Sequence, residues 1–223
     1  MDPSFTPEAL ETREVFGVRI AQTRNNTAAS LSDLQDAFDE PVPDDAARDL
    51  LVALTAVKYT QSNSICLAAD GQVIGVGAGQ QSRIHCTRLA SSKADTWYLR
   101  QHLAVLGLSF RRGLRRPDRD NAIDGFLRDT LSPQEDRVWA EAFEQSPQRL
   151  SAEDRQSWLG GLTGVAMASD GLIPFRDNVD RAAMSGVKYL AQPGGSLGDD
   201  QIAEACDQYG IAMAMTGVRS FHH

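Results

Sequence analysis

The chain has 223 residues, 42% hydrophobic and 23% charged, which is enough for one compact domain or two closely fused small ones. Its formal charge of −8 argues against a general affinity for nucleic acid or anionic membranes, since both need a basic face. No run approaches the roughly 20 apolar residues that span a bilayer, and the acidic start MDPSFTPEALETREV does not read as a secretory leader, so a cytoplasmic location is expected. Cys66, Cys86 and Cys206 cannot all pair and none stands in a CxxC or CxH arrangement, so they are expected to be buried thiols.

In chain order, VFGVRIAQTRNN from Val15 reads as a short strand or edge extension ending in an Asn-rich turn. Residues 1–43 are expected to be an N-terminal extension packing on a core made by residues 44–223. After PVPDD, where prolines stop one element and Asp44 or Asp45 can cap the next, AARDLLVALTAVKYT repeats apolar residues at helical spacing. The β-prone runs Ser64 to Ala69 and Gln72 to Gly77 flank Asp70-Gly71, a dipeptide favoured in type I′ turns, and predict a hairpin. A further helix should begin near Ser82, a suitable N-cap, and carry Ile84, Leu89, Trp97 and Leu99. Between Gly107 and Ser157, SFRRGLRRPDRDN reads as a charged loop, and AIDGFLRDTL and EDRVWAEAFEQ as short helices. In the last third TGVAMAS, VKYLAQ and IAMAMTG read as strands, with RDNVDRAAMSG and DDQIAEACDQYG as helices, the second ended by Gly210. Alternation of strand and helix predicts an α/β fold with parallel strands.

Five stretches could carry chemistry. Gly75, Gly77 and Gly79 are spaced G-x-G-x-G, which is neither the dinucleotide nor the Walker pattern, but they lead into a helix N-terminus with Arg83. That places them either around an anion or at a close contact of strand with helix. KYTQSNS offers the hydroxyls of Thr60, Ser62 and Ser64 and the amides of Gln61 and Asn63, which suit a monovalent cation or polar substrate, or else only caps and turns. In ASDGLIPFRDNVDRA, Asp170 ends a strand and Asp177-Asn178 stand where a helix begins, the place where ligands of open α/β sheets gather, although Asp177 could be a helix cap alone. GVRSFHH closes the chain with Arg219, His222 and His223, either a polar cluster with a titratable base or an inert end. Arg111, Arg112, Arg115 and Arg116, followed by Asp118 and Asp120, read as a solvated loop rather than an RNA contact.

Together, AVKYTQSNS, GQVIGVGAGQQSRIHCTRLA, NAID, PFRDNVDRA, EACDQYGI and the terminal R-x-F-H-H resemble the aminoimidazole carboxamide ribonucleotide (AICAR) transformylase domain of the bifunctional purine biosynthesis enzyme, from about Val15 to His223. The resemblance implies a cytidine-deaminase-like three-layer α/β/α sandwich with a mixed sheet and without the deaminase zinc. It implies transfer of a formyl group from 10-formyltetrahydrofolate to the 5-amino group of AICAR. Carried onto matching positions, Asn63, Arg83 and Arg219 would bind the ribonucleotide, Arg219 through its phosphate, while Asn121 and Asp177 would face the folate. Thr60, Ser62, Ser64 and Asp170, with main-chain carbonyls near Ala56 and Ser220, would surround a potassium ion.

Two departures from the family pattern stand out. Leu172 occupies a position where an aromatic is usual, thinning the wall beside the substrate. The family domain has two related halves and the resemblance covers the second, so the Lys-His pair assigned to base and oxyanion roles has no match here. Within this chain, His223 is the replacement for the base and Lys58 for the oxyanion, with Asn63 beside them. Loss of an oxyanion donor slows such reactions by about 100- to 1000-fold. A self-associated homodimer or a partner chain supplying the missing half is therefore expected. The alternatives are a non-catalytic AICAR-binding or regulatory paralogue, and an enzyme acting on a related amino-ribonucleotide in specialised metabolism.

Overall fold

A computed structural model describes residues 2, 5–6 and 8–220. The hairpin expected from Asp70-Gly71 is present: β3 (Ser64–Ala69) and β4 (Gln72–Ala78) pair antiparallel, and the turn residues have φ of 53° and 75°, the left-handed pair that a type I′ turn requires. Every residue of β3 is buried, because the strand lies inside a five-stranded sheet of order β4-β3-β5-β6-β7. The strands β5 (Val165–Ser169), β6 (Val187–Gln192) and β7 (Ala212–Met215) run parallel as expected, whereas β3 meets β5 antiparallel, so the sheet is mixed.

Alternation along the strands assigns a helix layer to each face. Ile65, Leu67, Met167 and Leu190 point toward α3 (Arg83–Leu99), α8 (Asp177–Ala183) and α9 (Asp199–Tyr209), sharing one core with Cys86, Ala90, Val179 and Ile202. On the opposite face Cys66, Ala68 and Ala168 pack against Ala53 and Val57 of α2 (Asp44–Lys58), and Leu34 of α1 (Leu31–Asp36) extends that layer. The glycine pattern has a packing explanation at two positions: a Cβ on Gly75 or Gly77 would collide with the α3 carbonyls of Ala90 and Cys86. Gly210 ends α9 in the left-handed conformation, as its sequence position implied.

Several elements differ from the sequence reading. The single strand expected from Val15 is a hairpin, β1 (Leu10–Val15) with β2 (Val18–Thr23), turning at Phe16-Gly17. Ser82 holds the N-cap position of α3, but its hydroxyl caps nothing. The second half of the charged loop is helical: α5 (Arg116–Leu127) starts at the second residue of RRPDRDN, with Pro117 in its first turn and a bidentate Arg115–Asp118 pair at 2.8 and 3.1 Å bracketing its start. The next helix, α6 (Pro133–Ala140), begins earlier than expected at the Ser132–Glu135 capping box. Two further helices, α4 (Leu103–Leu106) and α7 (Ala152–Leu159), complete a helical block whose core is Leu99, Val105, Phe126, Trp139 and Phe143. Among the described residues no helix is long and apolar enough to cross a membrane.

Candidate functional site

Ser62, Asn63 and Ser64 link α2 to β3, and Asp170 follows β5. Because β3 and β5 are antiparallel neighbours, with Ile65 opposite Ser169, the start of one strand meets the end of the other. This register brings together residues more than a hundred positions apart. The Asp170 carboxylate accepts from the Ser64 amide at 3.0 Å, from the Ser62 hydroxyl and from Arg83. Both Asp170 and Ser64 are fully buried, and Arg83 retains only 6% exposure.

Arg83 stands at the first turn of α3, where the sequence suggests a charge for an anion. Its guanidinium turns inward instead, donating to the Ser64 carbonyl at 2.9 Å, to Asp170 and to Asn63 Oδ1 at 2.9 Å. Asn63 is held at both ends of its amide, since its Nδ2 donates to the Gln80 carbonyl at 3.1 Å. Its own carbonyl accepts from Cys86 Sγ at 3.0 Å, and burial pushes that thiol up against the downward pull of the Gln80 main chain and Arg83. The Arg83–Asp170 pair is thus a buried, multiply hydrogen-bonded brace beneath the ends of β3 and β5.

The C-terminal segment closes over this knot. The Ser220 amide donates to the Asp170 carbonyl at 2.8 Å, and Thr216 and Gly217 donate to the carbonyls of Gln192 and Pro193 at 2.8 and 3.0 Å. Arg219 is exposed, its guanidinium beside Gly195 in the loop after β6, while its carbonyl accepts from Asn25 at 3.0 Å. Leu172 is half-buried in the loop after Asp170, and Asp177 is the exposed first residue of α8. Asp177 is not the cap of that helix: Arg176 holds the N-cap position and no side chain caps there. The Asp177 carboxylate accepts from Asn178 Nδ2 at 2.9 Å.

The remaining candidates have contacts of their own. The Lys58 ammonium donates to the Thr27 carbonyl at 2.6 Å and borders a cavity of about 290 Å³ shared with Leu54, Thr216, Val218 and Ser220. The Ala56 carbonyl accepts from the Tyr59 amide at 3.1 Å, and the Thr60 hydroxyl donates to the Val57 carbonyl at 3.0 Å. Asn121 is exposed on α5 and lines a groove of about 700 Å³ within the helical block, with Asp118, Arg128 and Trp139. His223 lies outside the described residues.

The sequence reading did not single out Thr87, and it noted Asn178 only as standing with Asp177 where α8 begins. Thr87 lies one helical turn beyond Arg83, and Asn178 lies inside the quoted PFRDNVDRA stretch; both are fully buried and share a 2.7 Å hydrogen bond. Helical spacing from Arg83 was the signal available for Thr87.

The donors at Asp170 also bear on a bound cation. A carboxylate offers about four lone-pair directions, and three are taken, two on Oδ1 and one on Oδ2. The Ser64 hydroxyl is buried without a hydrogen-bond partner. An acceptor direction and an orphaned hydroxyl among oxygen-bearing neighbours fit a hard monovalent cation.

Comparison with known proteins finds relatives along most of this chain. The family model described as AICARFT/IMPCHase bienzyme matches residues 1–93. A bifunctional purine biosynthesis protein PurH of Xylella fastidiosa (strain 9a5c) is 34% identical over 193 residues, 86% of this chain and 25% of that protein. The protein of the same name from Xanthomonas euvesicatoria pv. vesicatoria (strain 85-10) is 29% identical over 213 residues, 96% of this chain and 29% of that protein. The chain therefore spans about a quarter of the length of the curated relatives it matches, and is similar to them over most of its own length.

Proposed function

We propose that this chain carries the second half of an AICAR transformylase domain, on a cytidine-deaminase-like α/β sandwich without the deaminase zinc, and serves purine biosynthesis. The proposed reaction is formyl transfer from 10-formyltetrahydrofolate to the 5-amino group of AICAR. The observation that carries this reading is the convergence of Ser62, Asn63, Ser64 and Arg83, which lie in stretches resembling the family, with Asp170 and Ser220 into one hydrogen-bonded knot. In this reading Asn63 and Arg83 form the floor of the ribonucleotide site, Leu172 stands at its side, and exposed Arg219 takes the phosphate. Asp177 presents a carboxylate to the folate, and Asn121 serves the folate from the helical block.

Potassium would be held by the oxygens of Thr60, Ser62, Ser64 and Asp170, with main-chain oxygens of Ala56 and Ser220. It would take the acceptor direction that Arg83, Ser62 and the Ser64 amide leave open on Asp170, and stiffen the strand ends. The Lys58 ammonium is committed to the Thr27 carbonyl, which favours an outside source for the oxyanion donor and base. A second copy of this chain or a separate partner supplies them in this reading, and the reaction is placed in the cytoplasm.

The test is an assay of the purified chain in potassium buffer, following tetrahydrofolate release with AICAR present, beside calorimetric titration of AICAR. Turnover that Asn63→Ala abolishes, with AICAR binding weakened by Arg219→Ala at unchanged melting temperature, is the expected result. Because Arg219 is exposed, its loss should not disturb folding. AICAR binding without turnover would mean a binding or regulatory half that needs its complement. No affinity for AICAR would overturn the proposal.

A further inference from the structure

The pair Thr87 and Asn178 joins the two helices on which the proposed ligand sites stand, α3 with Arg83 and α8 with Asp177. The helices do not need this pair in order to dock. They already share the apolar contacts of Ala90, Ala94, Val179 and Ala182, and the Asp95–Arg181–Ser185 cluster, with bonds of 2.5 to 2.7 Å, ties them a second time. Burying a hydroxyl and an amide at a further contact has to overcome desolvation, so their value lies in direction rather than adhesion.

The direction can be read from the donors. Asn178 Nδ2 lies 3.0 Å from the Phe175 carbonyl and 2.9 Å from Asp177 Oδ1, and a carbonyl only accepts, which fixes the amide with its nitrogen on that side. Its Oδ1 must then accept, and Thr87 Oγ1 stands 2.7 Å away. The Thr87 hydroxyl has one proton and a second acceptor in reach, the Arg83 carbonyl at 3.2 Å, and the shorter line assigns the proton to Asn178. The result is a one-way relay from α3 through Thr87 and Asn178 to one carboxylate oxygen of Asp177. The residue is exposed, so its other oxygen, Oδ2, is available as the acceptor for a ligand N–H.

Building on the functional reading above, we propose that Thr87 and Asn178 are positioning residues for Asp177, and that they set the affinity for the reduced-pterin formyl donor independently of the affinity for the ribonucleotide. Arg83 and Arg219, assigned to the ribonucleotide, take no part in the relay through their side chains. Loss of the Thr87 hydroxyl therefore separates the two affinities.

The experiment titrates the full chain with tetrahydrofolate and, separately, with AICAR, in the wild type and in Thr87→Val and Thr87→Ser. The expected result is about a tenfold loss of tetrahydrofolate affinity in Thr87→Val, the size of one hydrogen bond to a charged group, with AICAR affinity held and the loss reversed in Thr87→Ser. Should Thr87→Val fail to fold, Thr87→Cys keeps the volume while replacing the hydroxyl with a weak donor. Equal weakening of both ligands along with the melting temperature would show a merely structural contact and overturn the proposal, as would an unchanged tetrahydrofolate affinity. If wild-type chain binds no tetrahydrofolate, the functional reading fails, and crystal structures of Thr87→Val and Thr87→Ser then decide the relay. A carboxylate of Asp177 that leaves Asn178 in the first and keeps it in the second supports it; one that stays put in both refutes it.

Discussion

The sheet with its flanking helices and the helical block of α4 to α7 each have a hydrophobic core, but they treat polar groups in opposite ways. Among the described residues the buried polar and charged side chains include Asp49, Ser64, Arg83, Asp170, Asn178 and Gln192, and none of the buried set lies between residues 100 and 160. The helical block packs aromatics, with Trp139 and Phe143 edge to face at 4.9 Å, and keeps Arg128–Glu135 and Arg149–Asp136 at its surface. A buried polar group weakens a fold unless it is fully partnered, so a region that keeps several invests its packing in orienting them. That contrast sets the proposed site at the ends of β3 and β5 apart from the block, where Asn121 lies on an exposed groove.

The largest effect that could break this comparison comes from Arg83. Arg83→Ala would strand the fully buried Asp170 carboxylate, and removal of one partner of such a pair is expected to lower unfolding free energy by about 3–5 kcal/mol in urea denaturation. Arg100→Ala, which breaks the exposed pair with Asp120 in the block, should change stability by less than about 1 kcal/mol. Equal losses in the two variants would erase the distinction between the regions. Pairing Arg83→Ala with Asp170→Ala should recover part of the loss, because no unpaired charge is then buried.

Next in size are two glycines whose obstacles differ. A Cβ at Gly77 would strike the main-chain carbonyl of Cys86, and α3 cannot yield without moving as a body, so Gly77→Ala should destabilise by about 1–3 kcal/mol. At Gly125 the obstacle is the indole of Trp139, a side chain rather than main chain. Gly125→Ala should therefore lose less, with the gap measured by thermal unfolding. A larger loss at Gly125 would mean that the block is packed more rigidly than the sheet layer.

The thiols sharpen the comparison by pH. Burial pushes Cys66 up to about 12 from the ordinary 9.0, so the folded protein keeps its proton where the unfolded chain has given it up. Stability from this group is complete below pH 9 and declines as pH rises from 9 toward 12, by about 1.4 kcal/mol for each unit in that window. Burial also pushes Cys206 up to about 12, ahead of the smaller effect of Asp207. Cys66→Ala should flatten the alkaline slope measured between pH 8 and 10, and an unchanged slope would remove Cys66 as its source.

Legibility in the sequence follows the range of the forces involved. The Asp70-Gly71 hairpin and the alternating elements from Val165 to Met215 are local patterns, and both were readable. The start of α5 was not, because RRGLRRPDRD is charged throughout and its helix depends on a proline in the first turn and on Arg115 gripping Asp118. At the site, Asn63, Arg83 and Asp170 were visible as residues worth watching. That Arg83 folds inward was not, since its partner Asp170 is 87 positions away and meets it only through the β3–β5 register. The same distance problem hid the pairing of Thr87 with Asn178, which are 91 positions apart.

The smallest expected effect belongs to Glu135, in the block. Its carboxylate accepts from the Ser132 amide at 2.8 Å and from Arg128 at 3.0 Å, and these bonds, the main-chain one foremost, hold it down at about 2 from the ordinary 4.5. A depressed carboxylate contributes stability above its unfolded value and loses it as pH falls from 4.5 toward 2. Glu135→Gln keeps an oxygen for the Ser132 amide and so preserves the capping box, but it removes the titrating charge. Helix content followed by circular dichroism should be unchanged at neutral pH, and the variant should lack one component of the wild-type acid loss between pH 4.5 and 2. If the two acid curves coincide, the cap of α6 works through hydrogen-bond geometry alone, and surface charge contributes nothing measurable to the block.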